Sequence, residues 1–233
     1  MSVNLRDGST VDDPRLGRLK EYDERSRSFS IAPLLKEVEL RSPRTRYWHV
    51  PYTLDQGQTS ACVGFSWTHE AMAQPVIVPN LDYDDGQSVY NAAKKVDEWD
   101  GEDYDGTSVL AGAKVMQSRG FFMEYRWAYT IDDLVLALSH QGPVVLGIEW
   151  RDNMYDPDDD FFLNIGGDTV GGHAILAYGV VVDSEGKPEY VLLHNSWGPS
   201  WGRYGNVKVR IADMERLLLE GGEACIPVGR RYP

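Results

Sequence analysis

The most informative stretch of this 233-residue chain is Asp55-Gln56-Gly57-Gln58-Thr59-Ser60-Ala61-Cys62-Val63-Gly64-Phe65. Its cysteine is one of only two in the sequence, so a functional role is a better explanation than chance. Two further segments stand far downstream, Gly171-Gly172-His173-Ala174-Ile175 and His194-Asn195-Ser196-Trp197-Gly198. A thiol, an imidazole and a side-chain amide are together the components of a cysteine nucleophile site.

In the same order along the chain, these segments resemble those of papain-like cysteine peptidases. The third segment continues as Asn195-Ser196-Trp197-Gly198-Pro199-Ser200-Trp201-Gly202 and then Gly205, which is a specific match. The resemblance implies an α+β protein with a helical N-terminal lobe, an antiparallel β-barrel-like C-terminal lobe and an active site in the cleft between them. The expected divisions are an N-terminal extension over 1–46 and a peptidase domain over 47–233, with lobes at about 55–125 and about 126–225.

The resemblance also implies a role for each motif residue. Cys62 is the expected nucleophile, His173 its acid and base, and Asn195 the group that orients the imidazole. The side-chain amide of Gln56 and the backbone N–H of Cys62 are expected to form the oxyanion hole. Four residues are expected to bind substrate: Gly106, Thr107, Gly172 and Trp197.

The position of each histidine independently favours His173 as the base. His69 lies seven residues along the helix predicted to begin at Cys62, roughly 10 Å away along the axis and too far for a hydrogen bond. His194 precedes Asn195 on a predicted strand, so their side chains point to opposite faces. Two histidines lie outside the motif segments: His49 and His140.

Two effects are expected to lower the pKa of the Cys62 thiol. The positive end of the helix dipole would point at the sulfur, and a protonated His173 would pair with the thiolate. An active nucleophile at neutral pH is the predicted consequence.

The pattern of apolar and turn residues predicts helices in the first half of the body and strands in the second. Ser60 is the predicted cap of the first helix, and Ser108 lies at the start of the third. The predicted helices cover 61–73, 87–97 and 108–118. The predicted strands cover 144–150, 174–182, 190–194 and 207–211.

Residues 1–46 are polar and hold ten Lys/Arg against eight Asp/Glu, whereas the whole chain has a net charge of −13. This extension is short and weakly periodic, and it is expected to pack on the body and remain attached; a short cleaved propeptide is the alternative. The strongly acidic body excludes nucleic acid and anionic membranes as partners, so a peptide or protein substrate is expected. No apolar run reaches the roughly 18–20 residues that span a bilayer.

Cysteine usage favours a reducing compartment. Thr59 occupies the place of a bridging cysteine in secreted papain-like enzymes, and Cys225 is expected to be a buried apolar residue. With no apolar signal core at the N-terminus, a cytoplasmic location is expected. Val63 and Gly172 also depart from the plant and animal pattern, and the set is closer to disulfide-free microbial or phage members.

The proposed chemistry requires no metal or other cofactor, and none is expected. The acidic stretch before Gly106 fails as an EF-hand, because glycines stand at 101 and 112, where the first and last ligands belong. The leading hypothesis is a cysteine peptidase. The alternatives are a non-proteolytic acyl transferase or amidase on the same triad, and a catalytically silent structural or binding homologue.

Overall fold

The computed structural model describes residues 2–36 and 42–233. The helices are α1 (Glu24–Arg27), α2 (Ala32–Lys36), α3 (Cys62–Met72), α4 (Tyr83–Ala93), α5 (Val109–Ser118), α6 (Ile131–His140) and α7 (Ile211–Leu219). The strands are β1 (Val3–Asn4), β2 (Thr10–Val11), β3 (Arg18–Leu19), β4 (Arg46–Tyr47), β5 (Thr107–Ser108), β6 (Phe122–Trp127), β7 (Val144–Arg151), β8 (Thr169–Val182), β9 (Pro188–His194), β10 (Asn206–Arg210) and β11 (Glu223–Arg230).

One seven-stranded antiparallel sheet organises the second half of the chain. Its order is β10-β9-β8-β7-β11-β6, with β4 also paired to β8. Helices α3, α4 and α5 pack together in the first half, and α3 also packs on β8. Helices and sheet therefore occupy different parts of the chain, and the predicted α+β class is confirmed.

The sequence located two of the three predicted helices closely. Helix α5 follows its predicted Ser108 cap, whose hydroxyl accepts from the Ala111 N–H. Helix α4 begins four residues before its prediction because Asp82 forms a capping box with Asp85. Ser60 as the cap of α3 is wrong: the N-cap is Ala61, which makes no side-chain capping bond.

A pair of glycines sets the close packing of α3 on α4. A Cβ on Gly64 would lie 2.2 Å from the carbonyl oxygen of Gly86, so only glycine allows this approach. The neighbouring Trp67 is fully buried and donates its indole N–H to the carbonyl of Val109. This packing fixes the direction of α3 and hence the position of its first residue, Cys62.

The N-terminal segment crosses the body and binds both parts of it. Strand β3 pairs in parallel with β5, and Glu21 binds the Ser108 hydroxyl and the Lys114 ammonium on the helical side. The Arg18 side chain reaches the large sheet at Glu223. No described helix has the length and apolarity that a membrane span requires.

Candidate active site

Cys62 is the first residue of α3 and lies against strand β8. The backbone N–H of Ala174 approaches its sulfur at 3.4 Å, so the thiol sits beside the strand residue that follows His173. The fold thus joins the first and second motif segments across 112 residues of sequence. Cys62 and His173 are both fully buried.

Two contacts fix the tautomer of His173. Its Nε2 lies 2.8 Å from Asn195 Oδ1, and the Ser196 backbone N–H donates to the same atom at 2.8 Å. A backbone N–H can only donate, so the Asn195 atom is the amide oxygen and His173 Nε2 carries the proton. Nδ1 is left as the basic nitrogen; within 2–36 and 42–233 it makes no hydrogen bond of normal geometry, although the backbone of Arg15 lies beside the ring.

Two tryptophans hold the imidazole in place. The rings of Trp150 and Trp197 each lie 4.9 Å from the His173 ring, centroid to centroid. Trp197 was expected at the site from its motif, whereas Trp150 was missed because it lies in an unremarkable β7 sequence. Both side chains are nearly or fully buried, so they also shield the bond between His173 and Asn195 from water.

The amide of Gln56 enters the same cleft. Its Oε1 accepts from the Ser196 hydroxyl at 2.7 Å, which directs its NH₂ group the other way. That group donates to the carbonyl oxygens of Thr59, at 2.6 Å, and Arg15, at 3.1 Å. A side-chain N–H aimed at a carbonyl oxygen is the arrangement that an oxyanion hole needs. Ser196, which orients the amide, was not singled out by the sequence.

Residues 13–19, which we call the occluding segment, cover these groups. The Ser60 hydroxyl donates to the Pro14 carbonyl at 2.9 Å, and the Gly17 N–H points at the Cys62 sulfur. Gly17 fits tightly, since a Cβ there would lie 2.1 Å from the Ser60 carbonyl oxygen. The guanidinium of Arg15 stacks on Trp197 at 4.1 Å.

The four residues expected to bind substrate all contact this segment. The Thr107 N–H donates to the Gly17 carbonyl oxygen at 3.0 Å. Gly106 packs against the same oxygen, since a Cβ at Gly106 would lie only 2.8 Å from it. At Gly172 a Cβ would lie 2.2 Å from the Arg18 carbonyl oxygen. The fourth residue, Trp197, contacts the guanidinium of Arg15. The structure therefore brings all four to the cleft around Cys62.

Burial under the segment opposes the charged form of both groups that the sequence predicts to be catalytic. It raises the pKa of the Cys62 thiol, although hydrogen bonds from the backbone of Ala174, Gly17 and Val63 act in the opposite direction. It lowers the pKa of His173 to about 4, with the Asn195 contact opposing the shift. The expected low thiol pKa is therefore wrong for this closed conformation, because desolvation outweighs the hydrogen bonds that the sulfur accepts.

Cys225, His69 and His194 lie outside the candidate site and have structural contacts. Cys225 is buried in β11 as expected. His69 accepts from the Leu54 N–H at 2.9 Å, and its ring packs edge-on against His194 at 4.4 Å. His194 bonds to Asn206 rather than to the catalytic cluster, in agreement with the predicted opposite face.

The chain belongs to the papain family of cysteine proteases, whose family model matches residues 84–220. Among solved structures, it is similar to xylellain, a cysteine protease from Xylella fastidiosa, with a TM-score of 0.71 and 18% identity over 95% of this chain and 98% of the other. The fold is papain-like, as the sequence implied. The family match places the chain among the cysteine peptidases, a class of hydrolases.

Two curated relatives match over shorter regions. Serine-repeat antigen protein 5 of Plasmodium falciparum is 49% identical over 76 residues, which cover 31% of this chain and 8% of the relative. Cathepsin B-like cysteine proteinase 3 of Caenorhabditis elegans is 31% identical over 81 residues, covering 35% of this chain and 21% of the relative. The matches thus span less than a quarter of the length of either relative.

Proposed function

We propose that this papain-family protease cuts peptide bonds with Cys62 as nucleophile and His173 as acid and base. The thiolate attacks the carbonyl carbon of the scissile bond, and Gln56 stabilises the oxyanion. The C–N bond then breaks, and protonated His173 gives its proton to the leaving amine. Water, deprotonated by His173, attacks the thioester; the C–S bond breaks, and the carboxylic product leaves.

The observation that carries this proposal is the orientation of His173. Asn195 accepts the Nε2 proton, so Nδ1 is the nitrogen available for proton transfer, on a strand whose next residue contacts the Cys62 sulfur. The third member of a triad serves this orienting role. A vestigial site would have no need to keep a thiol, an oriented imidazole and a directed amide together, each buried with its supporting contacts.

The occluding segment gives the enzyme a latent state. Carbonyl oxygens of Pro14, Arg15 and Gly17 accept hydrogen bonds from the cleft, and the nucleophile has no exposed surface. A substrate needs the same space. We infer that residues 13–19 must leave the cleft before catalysis, whether the extension stays attached or is removed.

The direction of the occluding segment explains how it can lie at the nucleophile without being a substrate. The leaving amine must reach His173, so the C-terminal part of a substrate lies toward the wall formed by His173 and Trp197. The acyl part lies toward Gly106 and Thr107. The segment runs the other way: Arg15 contacts Trp197, and the later Gly17 binds Thr107. A carbonyl presented in this direction would place its amine away from the imidazole.

The test is hydrolysis of a peptide library by the full chain, with Cys62→Ala as the inactive variant and Cys225→Ala as the matched control. We expect cleavage by the wild type and by Cys225→Ala, and none by Cys62→Ala. An epoxysuccinyl probe should likewise label the wild type and Cys225→Ala but not Cys62→Ala. Probe labelling at Cys62 together with acyl transfer to an added amine, without peptide cleavage, would favour the transferase or amidase. Loss of Cys62 without effect on cleavage would refute the proposal.

A further inference from the structure

The occluding segment places one side chain in a site built for a guanidinium. The Arg18 side chain is only 1% exposed, and all three of its nitrogens donate hydrogen bonds. Nε and Nη2 bind Glu223 Oε2 at 3.0 and 2.5 Å, and Nη1 binds Glu149 Oε1 at 3.1 Å. Nη2 also donates to the Gly221 carbonyl at 3.1 Å. We call this site, formed by Glu149, Glu223 and Gly221, the acidic pocket.

Three neighbouring strands form the floor of the acidic pocket. Glu223 on β11 stands opposite Gly147 on β7, and Glu149 on β7 stands opposite Gly172 on β8. Residues 147 and 149 are two apart on a strand, so they face the same side. A Cβ at Gly147 would lie 2.7 Å from Arg18 Nε, so this glycine is what makes room for the guanidinium.

The acidic pocket opens directly beside the nucleophile. The N–H of Gly17 points at the Cys62 sulfur, and the next residue, Arg18, fills the pocket. Strand β3, which contains Arg18, pairs with β5. The pocket therefore lies on the acyl side of the cleft, the side that receives residues before the scissile bond.

The carboxylates of the acidic pocket have a cationic partner only while Arg18 fills it. Within the described 2–36 and 42–233, Arg18 is the one Lys or Arg within 4 Å of Glu149 or Glu223. Glu223 keeps only 13% of its side chain exposed. When the segment leaves, both carboxylates lose this partner and face the cleft, where a substrate cation can take its place.

We propose that the acidic pocket is a substrate specificity site that selects arginine on the acyl side of the cleft. This proposal rests on the peptidase function proposed above. A planar guanidinium satisfies both carboxylates and the carbonyl at once, as Arg18 does, whereas the single ammonium of lysine cannot reproduce this fork and leucine leaves both charges unpaired. Arginine is therefore preferred over lysine, and both over apolar residues. The net negative charge of the body also attracts basic substrates.

The experiment compares kcat/KM for a fluorogenic peptide series that differs only by Arg, Lys or Leu at each acyl-side position. The ratio of two substrates on one enzyme is independent of how much of that enzyme is open, so it separates selectivity from release of the segment. At one position we expect Arg over Leu by about 10- to 100-fold in the wild type, and a ratio near one in Glu223→Gln. Glu220→Gln, which removes a nearby carboxylate bound to Arg151 and Arg216, should keep the wild-type ratio.

A role of Glu223 as a mere anchor for the segment predicts a different result. Glu223→Gln would then raise the rate for every substrate and leave the Arg/Leu ratio at its wild-type value, which would overturn the specificity proposal while leaving the peptidase function intact. No cleavage of any peptide by any variant would instead count against the peptidase function.

A binding measurement tests the pocket without catalysis. Arg18→Ala empties it, and ethylguanidinium is then expected to raise the melting temperature of Arg18→Ala but not of the double variant Arg18→Ala/Glu223→Gln. Equal shifts in the two variants, or none in either, would refute a guanidinium site whether or not peptides are cut.

Discussion

Arg18 should control how often the cleft opens, and this can be measured at the nucleophile. In Arg18→Ala the closed state loses four charge-assisted hydrogen bonds, and Glu223 remains nearly buried without a counterion. The open state loses little, because there Arg18 and both carboxylates are hydrated in the wild type as well. The substitution therefore shifts the equilibrium toward the open state.

The size of the shift follows from those contacts. Breaking a buried ion pair by removing one partner costs about 3–5 kcal/mol, and water that enters the vacated pocket offsets part of this cost. We expect about 3 kcal/mol in the opening equilibrium, which corresponds to an increase of roughly 150-fold in the open fraction. The labelling rate of a buried thiol rises by the same factor when opening is fast compared with the reaction.

The assay is alkylation by iodoacetamide, followed for each cysteine by mass spectrometry. Cys225 is fully buried within β11 of the sheet, so its labelling reports unfolding of the sheet in the same sample. Cys62 should react about two orders of magnitude faster in Arg18→Ala than in the wild type, while Cys225 stays slow. Arg18→Lys, which keeps one cation, should fall between the two.

Two results would refute this reasoning. An unchanged Cys62 rate would mean that Arg18 does not hold the segment in place. A parallel rise at Cys62 and Cys225 would mean that the variant unfolds as a whole and that the cleft does not open by itself.

Three further predictions follow from individual contacts. Gly17→Ala should speed Cys62 labelling, because its methyl group would lie 2.1 Å from the Ser60 carbonyl; a rate equal to the wild type would show that the segment adapts. In peptide kinetics, Gln56→Ala should lower kcat about 10²–10³-fold and Ser196→Ala about tenfold. Equal losses in the two variants would argue that the Ser196 hydroxyl does more than orient the Gln56 amide. Burial lowers the pKa of His194 to about 4, so the unfolded state takes up the proton first and stability falls as pH drops from about 6.5 toward 4. Urea unfolding should show that, from pH 7 to pH 5, the free energy of unfolding falls by about 2 kcal/mol less in His194→Gln than in the wild type. An equal fall in the two proteins would contradict the lowered pKa of His194.

The elements that the sequence predicted well carry their own local signals. Helix α5 has its Ser108 cap and an apolar face, and β7 and β9 are apolar runs bounded by turns. Strand β11 escaped prediction because Glu223 and Pro227 interrupt its pattern, and its place in the sheet depends on pairing with β6 and β7. Helix α7 was read partly as strand because the apolar pattern of β10 continues into Ile211, its first residue.

The candidate catalytic groups were predictable because each stands in a short motif with its own chemistry. The closed state was not, because nothing in the local sequence marks Arg18 as special. Its partners lie 131 and 205 residues away, and their meeting depends on the register of three strands. The helix start predicts a low thiol pKa, whereas burial in the folded chain, which local sequence does not reveal, raises it.

The acidic pocket makes latency and specificity two consequences of one arrangement. A carboxylate pair that would bind a substrate arginine also gives the chain a way to close its own cleft, provided that an arginine near the N-terminus can reach it. Residues 1–46 carry an excess of basic over acidic side chains, while the rest of the chain is strongly acidic, so the extension is attracted to the body before any specific contact forms. When the segment leaves, these carboxylates lose their guanidinium partner and only water replaces it. Release of the segment is therefore easiest when another cation can take the place of Arg18, and a peptide that offers arginine meets this condition while a peptide that offers leucine does not.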